Sequence, residues 1–293
     1  MRLVLSVLVS VVLSAASVGA QDSAKRDEAM PRHVIRSKSA PVRPMAAWTD
    51  GATLRSASGK EAVAKAPPSA SRYESKAYKF PSGTIEVLTA AKDGAVLKQI
   101  GAESQLYVIK GTAEVTVAGA VTPIAAGDVV SQPSGVLRST SADGAVIVAY
   151  TVGSSSAQPK STVVRGKDVA DIKLAQWMKD GKQVNSQSDA EFAAAPADAQ
   201  IHMTKRYEFD GNSLRVPFWE KKKGSPDVVN TPVVPKETAL LYIWQGEGRF
   251  TYGGQINEIY AGDALEEEAG VQHGWVVKES MKFTATDALN KRQ

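Results

Sequence analysis

Leu106–Thr140, LYVIKGTAEVTVAGAVTPIAAGDVVSQPSGVLRST, and Leu241–Trp275, LYIWQGEGRFTYGGQINEIYAGDALEEEAGVQHGW, are one sequence written twice. At a constant separation of 135 residues, and without a gap, their punctuation coincides. Tyr107, Gly111, Gly119, Gly127, Asp128, Gly135 and Val136 meet Tyr242, Gly246, Gly254, Gly262, Asp263, Gly270 and Val271. Upstream the separation is 129 residues, and Val34, Arg36, Lys38, Trp48, Tyr78 and Phe80 meet Val163, Arg165, Lys167, Trp177, Tyr207 and Phe209. The difference places a short insertion in the second copy between Val216 and Leu240, most naturally at Glu220–Pro226. Each unit is far longer than a solenoid repeat of roughly 20–50 residues, so the chain reads as two domains packed as a pseudo-dimer.

Within each copy the dominant pattern is the short alternating strand. Tyr107–Ile109 and Ala113–Val117 flank a turn at Gly111, and Tyr242–Trp244 and Arg249–Tyr252 repeat it around Gly246. Asp210-Gly211-Asn212 between Tyr207–Phe209 and Leu214–Val216 reads as a hairpin turn. Many short strands separated by glycine turns predict an all-β sandwich or barrel. Trp48 and Trp177, near the start of each copy, are expected to plug a barrel end or the domain interface.

Before the first copy, Arg2, the apolar run Leu3–Leu13 and the small residues up to Ala20 read as a signal peptide at 1–20, cleaved before Gln21. The run is far short of the roughly 20 apolar residues of a membrane span. Secretion to the periplasm or beyond is therefore expected, without membrane insertion. Residues 21–32 read as a flexible leader, 33–150 as the first domain, the serine-rich 151–161 as a linker and 162–290 as the second domain. The chain has no cysteine, which removes disulfides, thiolate nucleophiles and thiolate metal ligands together. Its net charge of +4 is modest, and no basic stripe with interleaved aromatics points to nucleic acid. There is no Gly-x-Ser-x-Gly elbow and no phosphate-binding loop.

The strand Tyr107–Gly111, then Ala126-Gly127-Asp128-Val129-Val130, then Pro133-Ser134-Gly135, resembles a cupin. Tyr242–Gly246, Ala261-Gly262-Asp263 and Gly270–Trp275 resemble a second one, so the chain is similar to the bicupins. The resemblance implies two tandem jelly-roll β-barrels. It also implies a metal held by a His-x-His pair with a following Glu, and by the His of Gly-x5-Pro-x-Gly-x2-His-x3-Asn. Counting along the first copy puts Ser104 at the Glu, Lys98 or Gln99 with Ile100 near the His pair, and Arg138 at the last His. In the second, Ala239 stands at the Glu, Val233, Val234 and Pro235 surround the His pair, Glu268 replaces Pro, and His273 keeps its place. Glu237 is the one carboxylate placed to substitute. No metal and no other cofactor is expected.

His273 is the leading candidate for chemistry, because neutral imidazole is poised near neutral pH. Glu266 and Glu268, on one strand face, are its candidate partners as acid or orienting carboxylate. Trp275, Tyr242 and Trp219 are candidate ligand walls, with Arg215 adding charge; the alternative is that they fill the barrel and interface. Arg138 with Lys98 makes the first barrel a cationic pocket if both point inward, or leaves it a scaffold if they do not, and the scaffold is preferred. His202 is assigned to structure and His33 to an exposed position. Two functions remain open: binding of a small polar ligand such as a sugar, uronic acid or aromatic acid, or metal-independent lyase, decarboxylase or isomerase chemistry at His273. Homodimerisation is possible for either. The protein recovered after export should have the mass of residues 21–293; retention of Met1 in intact-mass measurement would contradict the signal-peptide reading.

Overall fold

The computed structural model describes residues 33–288 except 102–103, 118–119, 132–134, 140, 152–161, 181, 198, 210–211, 222–227 and 230–234. The signal peptide, the leader and the linker at 152–161 lie outside the described residues, as does most of the expected insertion.

The first half forms β1 Val34–Ile35, β2 Val42–Asp50, β3 Thr53–Ser58, α1 Lys60–Ala64, β4 Ser71–Phe80, β5 Gly83–Ala90, β6 Leu97–Ile100, β7 Ser104–Lys110, β8 Thr112–Val117, β9 Ala120–Ala125, β10 Val129–Ser131, β11 Gly135–Ser139 and β12 Ala145–Thr151. The second repeats the order as β13 Thr162–Val164, β14 Asp171–Lys179, β15 Lys182–Asn185, α2 Asp189–Ala193, β16 Gln200–Phe209, β17 Asn212–Glu220, β18 Val228–Val229, β19 Thr238–Gln245, β20 Glu247–Tyr252, β21 Gln255–Tyr260, β22 Ala264–Glu267, β23 His273–Val277 and β24 Met281–Ala288. The predicted all-β fold is present. Each half builds an 8-stranded and a 4-stranded antiparallel sheet, and the strand orders of the two halves match element for element. The two sheets of a half close over an apolar interior, giving two jelly-roll barrels in tandem.

One strand per half belongs to the other half's sheet. β1 pairs with β22, Val34 opposite Leu265, and β13 pairs with β10, Val129 opposite Val164. The arms are therefore exchanged, and each is locked by matched bonds. Asp263 Oδ2 accepts from Arg36 at 2.9 Å while its Oδ1 takes the Ser37 N–H at 2.8 Å. Asp128 Oδ2 accepts from Arg165 at 2.7 Å and its Oδ1 takes the Gly166 N–H at 3.0 Å. Tyr78 and Tyr207 donate to the carbonyls of Gly262 and Gly127, and Lys76 and Lys205 to those of Ser37 and Gly166. This explains the repeated Ala-Gly-Asp. The glycines at 127 and 262 take φ of +91° and +93°, which favours residues without Cβ, and a Cβ on Gly166 or Gly262 would collide with Gly127 or Ser37 respectively. Between the halves lies a shared core of Tyr78, Ile85, Val148, Tyr150, Tyr207, Leu214 and Leu240, all fully buried.

Two expectations need correction. The gapless alignment fails beyond β22: Leu137 lies opposite Val115 and Trp275 opposite Phe250, so these structural equivalents are 138 residues apart, whereas Val115 and Phe250 are 135 apart. The second copy carries three more residues before β23. Trp48 neither plugs a barrel nor reaches the interface; it packs beside α1 against a satellite cluster of Ala46, Ala66 and Ala70.

Asp263→Ala strands the Arg36 charge together with the Ser37 and Tyr260 amides. It should cost roughly 3–5 kcal/mol in urea unfolding. Asp50→Ala, which removes an exposed ion pair with Arg55 at 3.7 Å, should change stability by less than about 0.5 kcal/mol. Equal effects would show that the arms are not clamped as described.

Candidate functional site

The two barrels are filled differently. The first is lined mainly by aliphatic side chains, among them Leu88, Leu106, Val108, Val115, Val130, Leu137 and Ile147, with the ring of Tyr73 among them. At the equivalent places the second carries rings: Phe250 for Val115, Trp275 for Leu137 and Phe283 for Ile147. Trp275 stacks on Phe283 with centroids 5.3 Å apart and planes 6° apart, and Trp219 stands edge-on to both. His202 lies flat on Trp219 at 4.6 Å. These rings make a solid floor.

Above the floor is a cavity of about 410 Å³ lined by Arg206, Arg215, Pro235, Lys236, Glu237, Glu267 and His273. Strand alternation determines which glutamate enters. Glu267 lies opposite Ala239, which packs in the barrel, whereas Glu266 lies opposite Leu240, which packs in the shared core. His273 Nε2 meets Glu267 Oε1 at 3.1 Å, and Trp275 Nε1 donates to the same oxygen at 3.1 Å. Burial holds the His273 pKa below the ordinary imidazole value; the nearby Arg215 charge lowers it further, and the backbone of Val271 works the other way. Among the described residues, none forms a hydrogen bond of normal geometry with the buried His273 Nδ1.

Of the residues predicted from sequence, His273 and Arg215 line this cavity, with Glu237 beside them. Glu266 and Glu268 do not join His273. They face the first half, where Glu266 takes the Ser82 amide at 3.0 Å and His33 Nδ1 at 3.1 Å, and Glu268 comes within 4.0 Å of His33 Nε2. His33 is consequently not an exposed residue: it is partly buried, its ring tilted by 36° against that of Tyr252 with centroids 4.6 Å apart, and carried there by the exchanged arm. Trp275 and Trp219 are floor rather than wall, and Tyr242 packs toward Tyr78 in the shared core. Arg138 is exposed on the outer side of β11, with Leu137 turned inward, so the first barrel has no inward cation from it. Lys98 is held by Glu86 at 2.7 Å. Sequence reasoning missed Glu267, Arg206 and Lys236; the triple Glu266-Glu267-Glu268 was a signal, but the face of each member depends on a register that only pairing fixes.

The same shift separates His273 from Arg138. The residue equivalent to His273 is Gly135, where a Cβ would collide with the carbonyl of Thr116. The first barrel therefore has no room for a histidine there. A larger hollow of about 570 Å³ flanks the exchanged arm at Thr112–Glu114, Pro123–Ala126, Asp128, Arg165 and Lys167. Its Asp128 and Arg165 are spent on locking the arm.

The donors do not fit the metal that the cupin resemblance implies. Among the described residues no three His, Asp or Glu side chains converge, and His273 and Glu267 already bond each other. A divalent cation needs several such donors converging at about 2 Å.

Solved structures with this architecture include AerE from Microcystis aeruginosa, with a TM-score of 0.55 at 10% identity over 77% of this chain and 95% of that one. A second is HEPD from Streptomyces albus, solved with its substrate 2-hydroxyethylphosphonate and Fe(II) bound, with a TM-score of 0.56 at 10% identity over 89% of this chain and 76% of that one. No family model and no curated protein matches the chain. At these identities the likeness is one of fold. The chain has the cupin fold in its two-barrel form.

Burial lowers the His202 pKa from 6.5 to about 4. The folded protein thus resists protonation there while the unfolded chain accepts it. The associated stability is complete above about pH 6.5 and is lost as the pH falls towards about 4. Relative to His202→Phe, the parent should lose about 2 kcal/mol between pH 7 and pH 5 in urea unfolding. Parallel pH profiles would contradict the neutral, buried imidazole.

Proposed function

We propose that this protein is an exported two-barrel binding protein that takes a small polar organic ligand, a sugar, uronic acid or aromatic acid, into the second barrel without a metal. The observation that carries this reading is the cavity over the aromatic floor, with six charged or titratable side chains around it. About 410 Å³ lies in the range of small-molecule sites. The first barrel, filled mainly by aliphatic side chains, acts as scaffold and contributes its arm. Export rests on the residue pattern of 1–20.

The His273–Glu267 pair favours a second reading, a metal-independent lyase, decarboxylase or isomerase. A carboxylate on Nε2 orients the ring, and a lowered pKa keeps the imidazole unprotonated near pH 7, able to accept a proton. Glu267 here takes the role first assigned to Glu266 or Glu268.

Native mass spectrometry of protein purified from its producing cells should show a retained organic ligand. Glu267→Gln and His273→Ala should release it, and Arg138→Ala should not. Retention in the first two variants and loss in the third would contradict the assignment. Turnover of the retained molecule by the parent, abolished in His273→Ala even at concentrations that saturate the variant, would decide for the enzyme.

A further inference from the structure

Arg36 and Arg165, the arginines of the two exchanged arms, are held alike. Each Nη1 donates to the clamping carboxylate, Asp263 at 2.9 Å and Asp128 at 2.7 Å, and to a backbone carbonyl of the barrel it enters, Glu258 and Pro123 respectively. Such bonds lie in the guanidinium plane and leave its faces open. In the second half one face is covered: the central carbon of the Arg36 guanidinium stands 5.9 Å from the centroid of the Tyr260 ring. The strands β9 and β21 correspond residue for residue, Ala125 lying opposite Thr112 and Tyr260 opposite Glu247, so Ala125 stands where the second half has its tyrosine. The Arg165 side chain is accordingly 34% exposed, against 11% for Arg36. The hollow of about 570 Å³ beside the arm is lined by Arg165 and by the alanine that replaces the ring.

Among the described residues no ring lies over Arg165, and the remaining residues of the chain include no Phe, Tyr, Trp or His. A ring that covers this guanidinium therefore comes from outside the chain. Pro123, Ile124, Ala125 and Ala126 give the hollow apolar walls, and its volume lies in the range of small-molecule sites. Glu114 and Lys167 line it with opposite charges, so net charge selects neither an acid nor an amine, and the ring is the element recognised. We infer that this hollow binds a small aromatic molecule whose ring covers the Arg165 guanidinium as Tyr260 covers that of Arg36. The site shares no residue with the cavity of the second barrel and does not depend on the reading of that cavity.

Amide-resolved NMR titration of the mature chain with p-cresol, the analogue of the tyrosine side chain, tests this. The amides of Ala125, Gly166 and Lys167 should shift and saturate at millimolar concentration, and methylcyclohexanol, the saturated counterpart, should bind there about three-fold or more weakly. Ala125→Tyr should supply the ring in place, as the second half does, and abolish those shifts. Tyr260→Ala should open the equivalent place over Arg36 and add p-cresol shifts at Ser37, Lys38 and Ala261. No shift at Ala125, Gly166 and Lys167 in the parent, shifts that persist in Ala125→Tyr, or equal binding of methylcyclohexanol would overturn the inference. Absence of the added shifts in Tyr260→Ala would overturn it as well, whether or not Ala125→Tyr folds. So would a dimer of the parent that Ala125→Tyr dissociates, because a side chain of a second copy would then be the occupant.

Discussion

Two buried carboxylates, Asp128 and Asp263, hold this fold together. Each sits at a turn of one barrel and clamps the arginine and a backbone amide of an arm that arrives from the other half. Removing a barrel would leave its partner without a sheet edge strand, without these bonds and without the shared core of tyrosines and leucines. The two halves thus depend on each other for their structure.

That constraint explains how the copies diverged. Positions engaged in the exchange stayed alike: Arg36 and Arg165, Lys76 and Lys205, Tyr78 and Tyr207, Gly127 and Gly262. Positions inside the barrels did not. Leu137 is matched by Trp275, and Gly135, where a side chain would collide with the backbone, is matched by His273. Ala77 and Glu86 are matched by Arg206 and Arg215. One barrel is a packed core closed by a Glu86–Lys98 pair, and the other is a ring-floored cup with charge around its rim.

The duplication, the β-class and the inward position of His273 were legible in the sequence, because glycine turns and strand alternation are repeated in both copies. The arm exchange was not: Val34–Ile35 alternates in the same way whichever sheet it joins. Nor was the identity of the histidine's partner. Counting through an ungapped repeat passed unnoticed over three added residues before β23, and a shift of one residue moves a strand side chain to the opposite face. Glu266 and Glu268 were chosen where Glu267 enters the cavity, and Arg138 was matched with a histidine from which it is structurally displaced. Trp275 was placed on the right face but at the wrong depth, since side-chain depth depends on the neighbouring rings.

Hydrogen–deuterium exchange of the protein as purified with its retained ligand, and after the ligand has been removed, tests most directly the claim that a scaffold barrel supports a single working one. With the ligand bound, protection should rise in β16, β17, β22 and β23, which carry Arg206, Arg215, Glu267 and His273, and remain unchanged in β7, β8 and β11 of the first barrel. Protection centred on the first barrel, or no change anywhere, would contradict it.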